Sequence, residues 1–192
     1  PASVADFRGM RLRALGGMAR AARKIGAIPT TVTASETYTA LQRGRVDAIG
    51  FPSTYAFSAY KLNEVAEWYT TNMSLGSVNC PILANINSWH SLPPQYRDLL
   101  HSLKRQAFEF QAAAYQKKDI ENLRVWPNRM REISFPEYRL AEFRNKAGKP
   151  IWDEWVAEAS KSVPEARQLL NILLRTAAEA QRNYPTKRIY VK

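Results

Sequence analysis

The stretch that decides the fold runs from residue 11 to residue 49, RLRALGGMARAARKIGAIPTTVTASETYTALQRGRVDAI. Arg11-Leu12-Arg13-Ala14 is a short strand pattern, Gly16-Gly17 a turn, and Met18 to Ile25 a helix. Gly26 stops that helix, because a residue without a Cβ suits the left-handed position after a helix end. A second cycle follows at once. Ile28 to Val32 is β-branched and strand-like, and Thr33 with Glu36 three residues on forms a capping box. The helix it opens runs to about Arg43, and Gly44 ends it before the strand Val46-Asp47-Ala48-Ile49. A β-α-β-α-β order with connections this short predicts right-handed crossovers and a parallel sheet covered by helices, hence the α/β class.

Beyond this core, Tyr55 to Trp68 reads as helical, and Tyr69 to Asn72 and Val78 to Ile86 read as strands separated by Gly76. After Pro94 neither glycine nor proline occurs up to Arg124, and Leu99, Leu100, Leu103, Ala107, Phe110 and Ala114 fall on one side of a helical wheel. That predicts one buried stripe. Past Ala114 the same sector holds Lys117, Lys118 and Glu121, while Ile120 and Leu123 open a new apolar sector, so one helix is expected to serve two packing partners. At 1.5 Å per residue it would be about 46 Å long, enough to span two lobes. Trp126 to Ser134 reads as a strand, Phe135 to Ser160 as two helices broken near Gly148-Lys149-Pro150, and Ser162-x-x-Glu165 as the cap of a last helix to about Gln181.

The 192 residues carry 28 basic and 17 acidic side chains, a formal charge of +11 that points to anionic partners. A nucleic-acid site needs those charges in a patch or stripe with stacking aromatics. On the long helix Arg97 and Lys104 share one side and Lys117 and Arg124 point nearly the opposite way; Lys187-Arg188 is too short a run. A solvated basic surface is therefore preferred. A basic nucleic-acid-binding module stays open as the alternative, marked by a steep dependence of binding on salt.

Enzyme chemistry lacks a constellation. There is no G-x-S-x-G and no phosphate-binding glycine motif; Cys80 sits in a predicted strand as a structural thiol; Asp153-Glu154 beside Trp152 and Trp155 read as solvated carboxylates. One cysteine with His90 and His101 fits no metal-ligand spacing, so no metal, no cofactor and no catalytic residue are expected. No apolar run reaches the ~18 residues of a membrane span. The informative residue is Arg13, which ends a strand just before Gly16-Gly17 and a helix start. A guanidinium and free backbone N–H groups then meet at the carboxyl edge of a parallel sheet, a place suited to binding a carboxylate. An arginine exposed on the surface is the alternative.

Three segments, Asp6-Phe7-Arg8-Gly9-Met10-Arg11-Leu12-Arg13, Gly26-Ala27-Ile28-Pro29 and Ser35 to Ala48, resemble in order and spacing the solute-binding proteins of tripartite ATP-independent periplasmic (TRAP) transporters. Trp89-His90-Ser91-Leu92-Pro93 resembles the family's segment before its lobe-spanning helix, and Pro150-Ile151-Trp152-Asp153-Glu154-Trp155 a late family segment. The resemblance extends to about Pro185 and begins midway through the family's length, which implies that much of the first lobe belongs to another chain or is lost. It implies a type II periplasmic-binding-protein-like bilobal fold, with residues 1–71 and 87–125 mainly second lobe and hinge helix around a βαβαβ core at 10–52. Residues 72–86 would cross into the first lobe, 126–185 supply the last strand and helices, and 186–192 form a tail.

Functionally the resemblance implies a non-enzymatic periplasmic receptor, its signal peptide removed. It would close on a small organic acid and deliver it to the membrane subunits of a TRAP transporter, with no nucleic acid involved. By position Arg13 matches the family arginine that pairs with the ligand carboxylate, and Gly17 the ligand-facing start of the next helix. Phe51 stands where sialic-acid-type members carry an asparagine and 2-keto-acid-type members a Glu-Trp pair. Here the dipeptide is Gly50-Phe51, which argues against a metal-bridged ligand and for a partly apolar acid. Ala34 replaces a phenylalanine of some members, Asn72 and Met73 match a loop facing the cleft, and Tyr55 is assigned from proximity. Phe51 reads equally as a packing residue, Tyr55 more readily as a structural residue than as a ligand contact, and Glu36 as the capping-box acid.

Overall fold

The computed structural model describes residues 1–51, 54–76 and 82–183. Strand β1 (Arg11–Arg13) leads into helix α1 (Gly16–Lys24), whose Met18, Ala21 and Ala22, with Ile25 after them, recur at helical spacing and are all buried. The helix ends in a Schellman motif. Gly26 (φ +83°) donates its N–H to the Arg23 carbonyl and Ala27 to the Ala22 carbonyl, a backbone turn that a Cβ would strain. Strand β2 (Ile28–Thr30) follows, then the Thr33–Glu36 capping box, with the Glu36 carboxylate accepting from both the backbone N–H and the hydroxyl of Thr33. Helix α2 (Thr37–Gln42) ends as α1 does, at Gly44 (φ +64°), and releases the chain into strand β3 (Ala48–Ile49).

These strands form a parallel sheet in the order β2-β1-β3, so the predicted α/β core is present. Leu12 and Ala48 on one face join Met18, Ala21 and Ala22 of α1 in the main core, whereas Val32, Ala40 and Val46 make a smaller core with α2 on the other. Arg11 clamps the edge of the sheet. Its guanidinium donates to both carboxylate oxygens of Asp47 (3.0 and 2.6 Å) and its backbone N–H to one of them (2.7 Å), which holds the Asp47 pKa below the usual carboxylate value.

Helix α3 (Thr54–Ala59) is shorter than the predicted Tyr55–Trp68 helix. Lys61 takes a left-handed conformation, a 3₁₀ turn covers Leu62–Glu64, and Trp68 belongs instead to strand β4 (Trp68–Thr70), which pairs in parallel with β5 (Arg131–Ile133). The partner strand, whose Arg131 pairs with Trp68, decides that outcome. Of the strand predicted over Val78–Ile86, residues 78–81, with Cys80, lie outside the described residues; residues 82–85 form no strand and Ile86 begins helix α4 (Ile86–Ser91). Asn85 is responsible, its side chain capping the Asn87 and Ser88 N–H groups at 2.9 and 3.2 Å.

The long helix is divided into α5 (Pro94–Ser102) and α6 (Lys104–Val125), with Leu103 helical between them. Its stripe is not buried as expected. Leu99, Leu100, Leu103, Ala107, Phe110 and Ala114 are exposed, Phe110 by 68%. The second half of α6 does find its own partner, α3. Asn122, 6% exposed, accepts the Ser58 hydroxyl (2.7 Å) and donates to the Thr54 carbonyl (3.2 Å), and the Thr54 hydroxyl donates to Asp119.

Burial raises the Asp119 pKa, and among the described residues no cation offsets it. A carboxyl whose pKa is higher folded than unfolded disfavours folding once the pH exceeds the unfolded value, and contributes nothing below it. Asp119→Asn keeps the acceptor for Thr54 and removes the charge. It is expected to raise the urea midpoint at neutral pH and to match the parent below the ordinary carboxylate range. A midpoint gain independent of pH would show that charge is not the cause.

After β5, helix α7 (Glu137–Phe143), a π-helical turn (Arg144–Gly148) and helix α8 (Lys149–Ala159) run on continuously, so the predicted break at Gly148-Lys149-Pro150 is a widened turn. Pro150 sits in the first turn of α8, directly after that widened turn, where the relaxed backbone takes a residue without an N–H. The last helix, α9 (Ala166–Asn183), starts after Ser162-x-x-Glu165 without the predicted cap, since the Ser162 hydroxyl donates back to the Ala159 carbonyl at the end of α8. The tail with Lys187-Arg188 lies outside the described residues.

Candidate functional site

Arg13 and Leu12 point to opposite faces of β1, and both are buried. Leu12 enters the main core. Arg13 enters the α2 side, 4% exposed, where its Nε donates to the Val32 carbonyl (3.1 Å) and its Nη1 to the Gly50 carbonyl (3.0 Å). Both acceptors sit just past the carboxyl ends of neighbouring strands, so the parallel sheet itself orients the guanidinium. The guanidinium carbon lies over the Phe51 ring, 4.4 Å from its centre. Burial presses the Arg13 pKa downward and the Tyr60 phenol acts in the opposite sense, yet an arginine keeps its charge. Among the described residues this cation has no ion-pair partner, in contrast to Arg11 on the same strand.

Phe51 is held in turn. Tyr60 stacks on it nearly parallel, 5.4 Å between ring centres, and Phe57 meets it edge-on at 5.7 Å. Phe57, Trp126 and Tyr69 continue the aromatic contacts at 6.0 and 5.3 Å. Phe51, Phe57, Trp68, Tyr69, Trp126 and Met73 line a cavity of about 560 Å³.

The structure thus joins two of the predicted residues, Arg13 and Phe51. A Cβ on Gly17, at the start of α1, would meet no atom within 4 Å, so this helix end is open. Met73 packs against the main core as well as lining the cavity. Asn72 clamps the backbone of Phe135, donating to its carbonyl (2.7 Å) and accepting from its N–H (2.9 Å), which ties the loop after β4 to the end of β5. Tyr55 meets Tyr115 of α6 edge-on at 5.0 Å and lines a shallower cavity with Ala114 and Lys118. Ala34 sits in the 3₁₀ turn before α2 and accepts the Thr37 hydroxyl at its carbonyl.

Sequence reasoning missed Tyr60 and the two carbonyls of Val32 and Gly50. The aromatic spacing Phe51, Phe57, Tyr60 is a visible signal for the first; backbone acceptors leave none. Among the described residues no group of histidine, cysteine, aspartate and glutamate is placed to hold a metal, and no helix is long and apolar enough to cross a membrane.

With this geometry in hand, comparison with known proteins is direct. Residues 2–159 match the family model of the bacterial extracellular solute-binding proteins, family 7. A monocarboxylate 2-oxoacid-binding periplasmic protein of Nostoc sp. is 23% identical over 170 residues, covering 81% of this chain and 47% of that protein. A TRAP periplasmic solute-binding protein of Desulfovibrio salexigens with bound orotic acid superposes with a TM-score of 0.80 at 21% identity, covering 93% of this chain and 57% of that one. One from Rhodoferax ferrireducens with copurified benzoate gives 0.75 at 20% identity over 94% and 58%. The likeness shows the type II periplasmic-binding fold. The chain spans about half the length of the curated relatives it matches.

Proposed function

Because the chain belongs to the bacterial extracellular solute-binding proteins, family 7, we propose that it supplies the carboxylate-binding lobe of a periplasmic TRAP receptor, which passes a small organic acid to membrane permease subunits. The observation that carries this reading is Arg13: a buried, oriented cation without an anionic partner among the described residues. A buried charge left unpaired is costly, and a bidentate carboxylate relieves that cost. Gly17, Phe51 and Met73 flank the ligand, with Tyr55 and Asn72 holding α3 and the loop after β4 in place around it. The α5–α6 helix is the hinge, and its uncovered apolar stripe is the surface against which the first lobe closes.

Calorimetric titration of the chain with benzoate and with benzamide, which keeps the shape and lacks the charge, tests the reading. Benzoate is expected to bind at least about 10-fold more tightly, the scale of a charge-assisted bond. Equal affinity for the amide would overturn it.

A further inference from the structure

Gly50 binds Arg13 twice. Its N–H donates to the Arg13 backbone carbonyl (2.8 Å), and its own carbonyl accepts Nη1 of the guanidinium (3.0 Å). The next residue, Phe51, supplies the ring over which the guanidinium carbon lies. The aim of Arg13 therefore depends on where the dipeptide Gly50-Phe51 is held. Helix α3 and the residue after it hold that dipeptide with two rings three residues apart, a spacing that puts both on one side of a helix. Phe57 meets Phe51 edge-on, and Tyr60 stacks on it with 9° between the ring planes.

The Tyr60 backbone is fixed in its turn. Its N–H donates to the Ala56 carbonyl (3.0 Å), Lys61 then takes the left-handed conformation (φ +56°), and Ala56 and Leu62 are both buried. Asn122 ties α3 to the long helix. Tyr60 itself is 37% exposed, so it adds little to the core, and its ring contact among the described residues is Phe51. We infer that Tyr60 is a positioning residue: stacked on Phe51, its ring holds in place the surface and the adjoining Gly50 carbonyl that aim the Arg13 guanidinium. The consequence for binding rests on the carboxylate role of Arg13, to which Tyr60 adds the residue that fixes the geometry.

The test follows the Arg13 Nε–H by proton–nitrogen NMR of the isotope-labelled intact chain, assigned by its loss in Arg13→Lys. Bonded to the Val32 carbonyl in a buried site, this proton is expected to exchange slowly with solvent. In Tyr60→Leu it is expected to exchange at least about 3-fold faster, the scale of one aromatic pair, and in Tyr60→Phe at the parent rate. Phe51→Leu, which removes the middle ring and leaves Tyr60 intact, is a second variant with the same expected acceleration. Unchanged exchange in either folded leucine variant overturns the inference, even where the melting temperature falls. Equal acceleration in Tyr60→Phe also overturns it, because the hydroxyl and not the stacked ring would then act. Benzoate titration of the same proteins is expected to show binding at least about 3-fold weaker for Tyr60→Leu and unchanged for Tyr60→Phe. Faster exchange in Tyr60→Leu with benzoate affinity unchanged leaves the positioning role standing and counts against the carboxylate role of Arg13, so the two readings fail separately.

Discussion

Arg13→Ala is expected to weaken binding of a carboxylate ligand by at least about 2 kcal/mol, roughly 30-fold, because the ligand charge would lose its hydrogen-bonded partner in a desolvated site. Arg13→Lys separates charge from geometry. An ammonium keeps the positive charge but cannot donate to the Val32 and Gly50 carbonyls from over the Phe51 ring while offering a fork to the ligand. It should recover part of the affinity and keep a preference for carboxylate over amide, because the charge remains and only the fork is lost. Thermal melts of the three proteins report whether the fold survives, since two backbone carbonyls lose their donors in each variant. Unchanged affinity in a folded Arg13→Ala protein would remove the basis of the proposed function.

Asn122→Leu is expected to show the largest effect on stability. Asn122 is the buried residue of α6, and its amide both accepts from Ser58 and donates to the Thr54 carbonyl, so it joins the long helix to α3. Leucine of similar size leaves a hydroxyl and a carbonyl without partners. At roughly 1–3 kcal/mol for each unsatisfied buried group, a loss of about 3 kcal/mol is expected. For a chain of this length that corresponds to a fall of about 6–12 °C in melting temperature. A melt within about 1 °C of the parent would show that water replaces both bonds and that the α3–α6 junction is not a structural anchor.

Much of the core was legible because its instructions are local. The apolar spacing Met18, Ala21, Ala22 and Ile25, the Thr33–Glu36 box and the glycines at 26 and 44 each act within one or two helical turns. The elements that were misread depend on distant partners or on a side chain competing for backbone groups. Trp68 is a strand residue because β5 pairs with it, and Ile86 is helical because Asn85 caps it. The stripe on α5 and α6 is apolar as the sequence predicts, but burial depends on what packs against it, and these residues stay exposed in the structure.

The site shows the same division. Strand alternation places Arg13 and Leu12 on opposite faces, and the following turn and helix start put Arg13 at the carboxyl edge of the sheet; both follow from the order of residues alone. Family membership likewise follows from motifs in that order. Tertiary structure alone decided that Arg13 is buried, that the Val32 and Gly50 carbonyls aim it, and that Tyr60 backs Phe51. The reason is physical: dihedral preferences and capping are properties of neighbouring residues, whereas the desolvation and aiming of Arg13 exist only once it has packed against carbonyls 19 and 37 residues away.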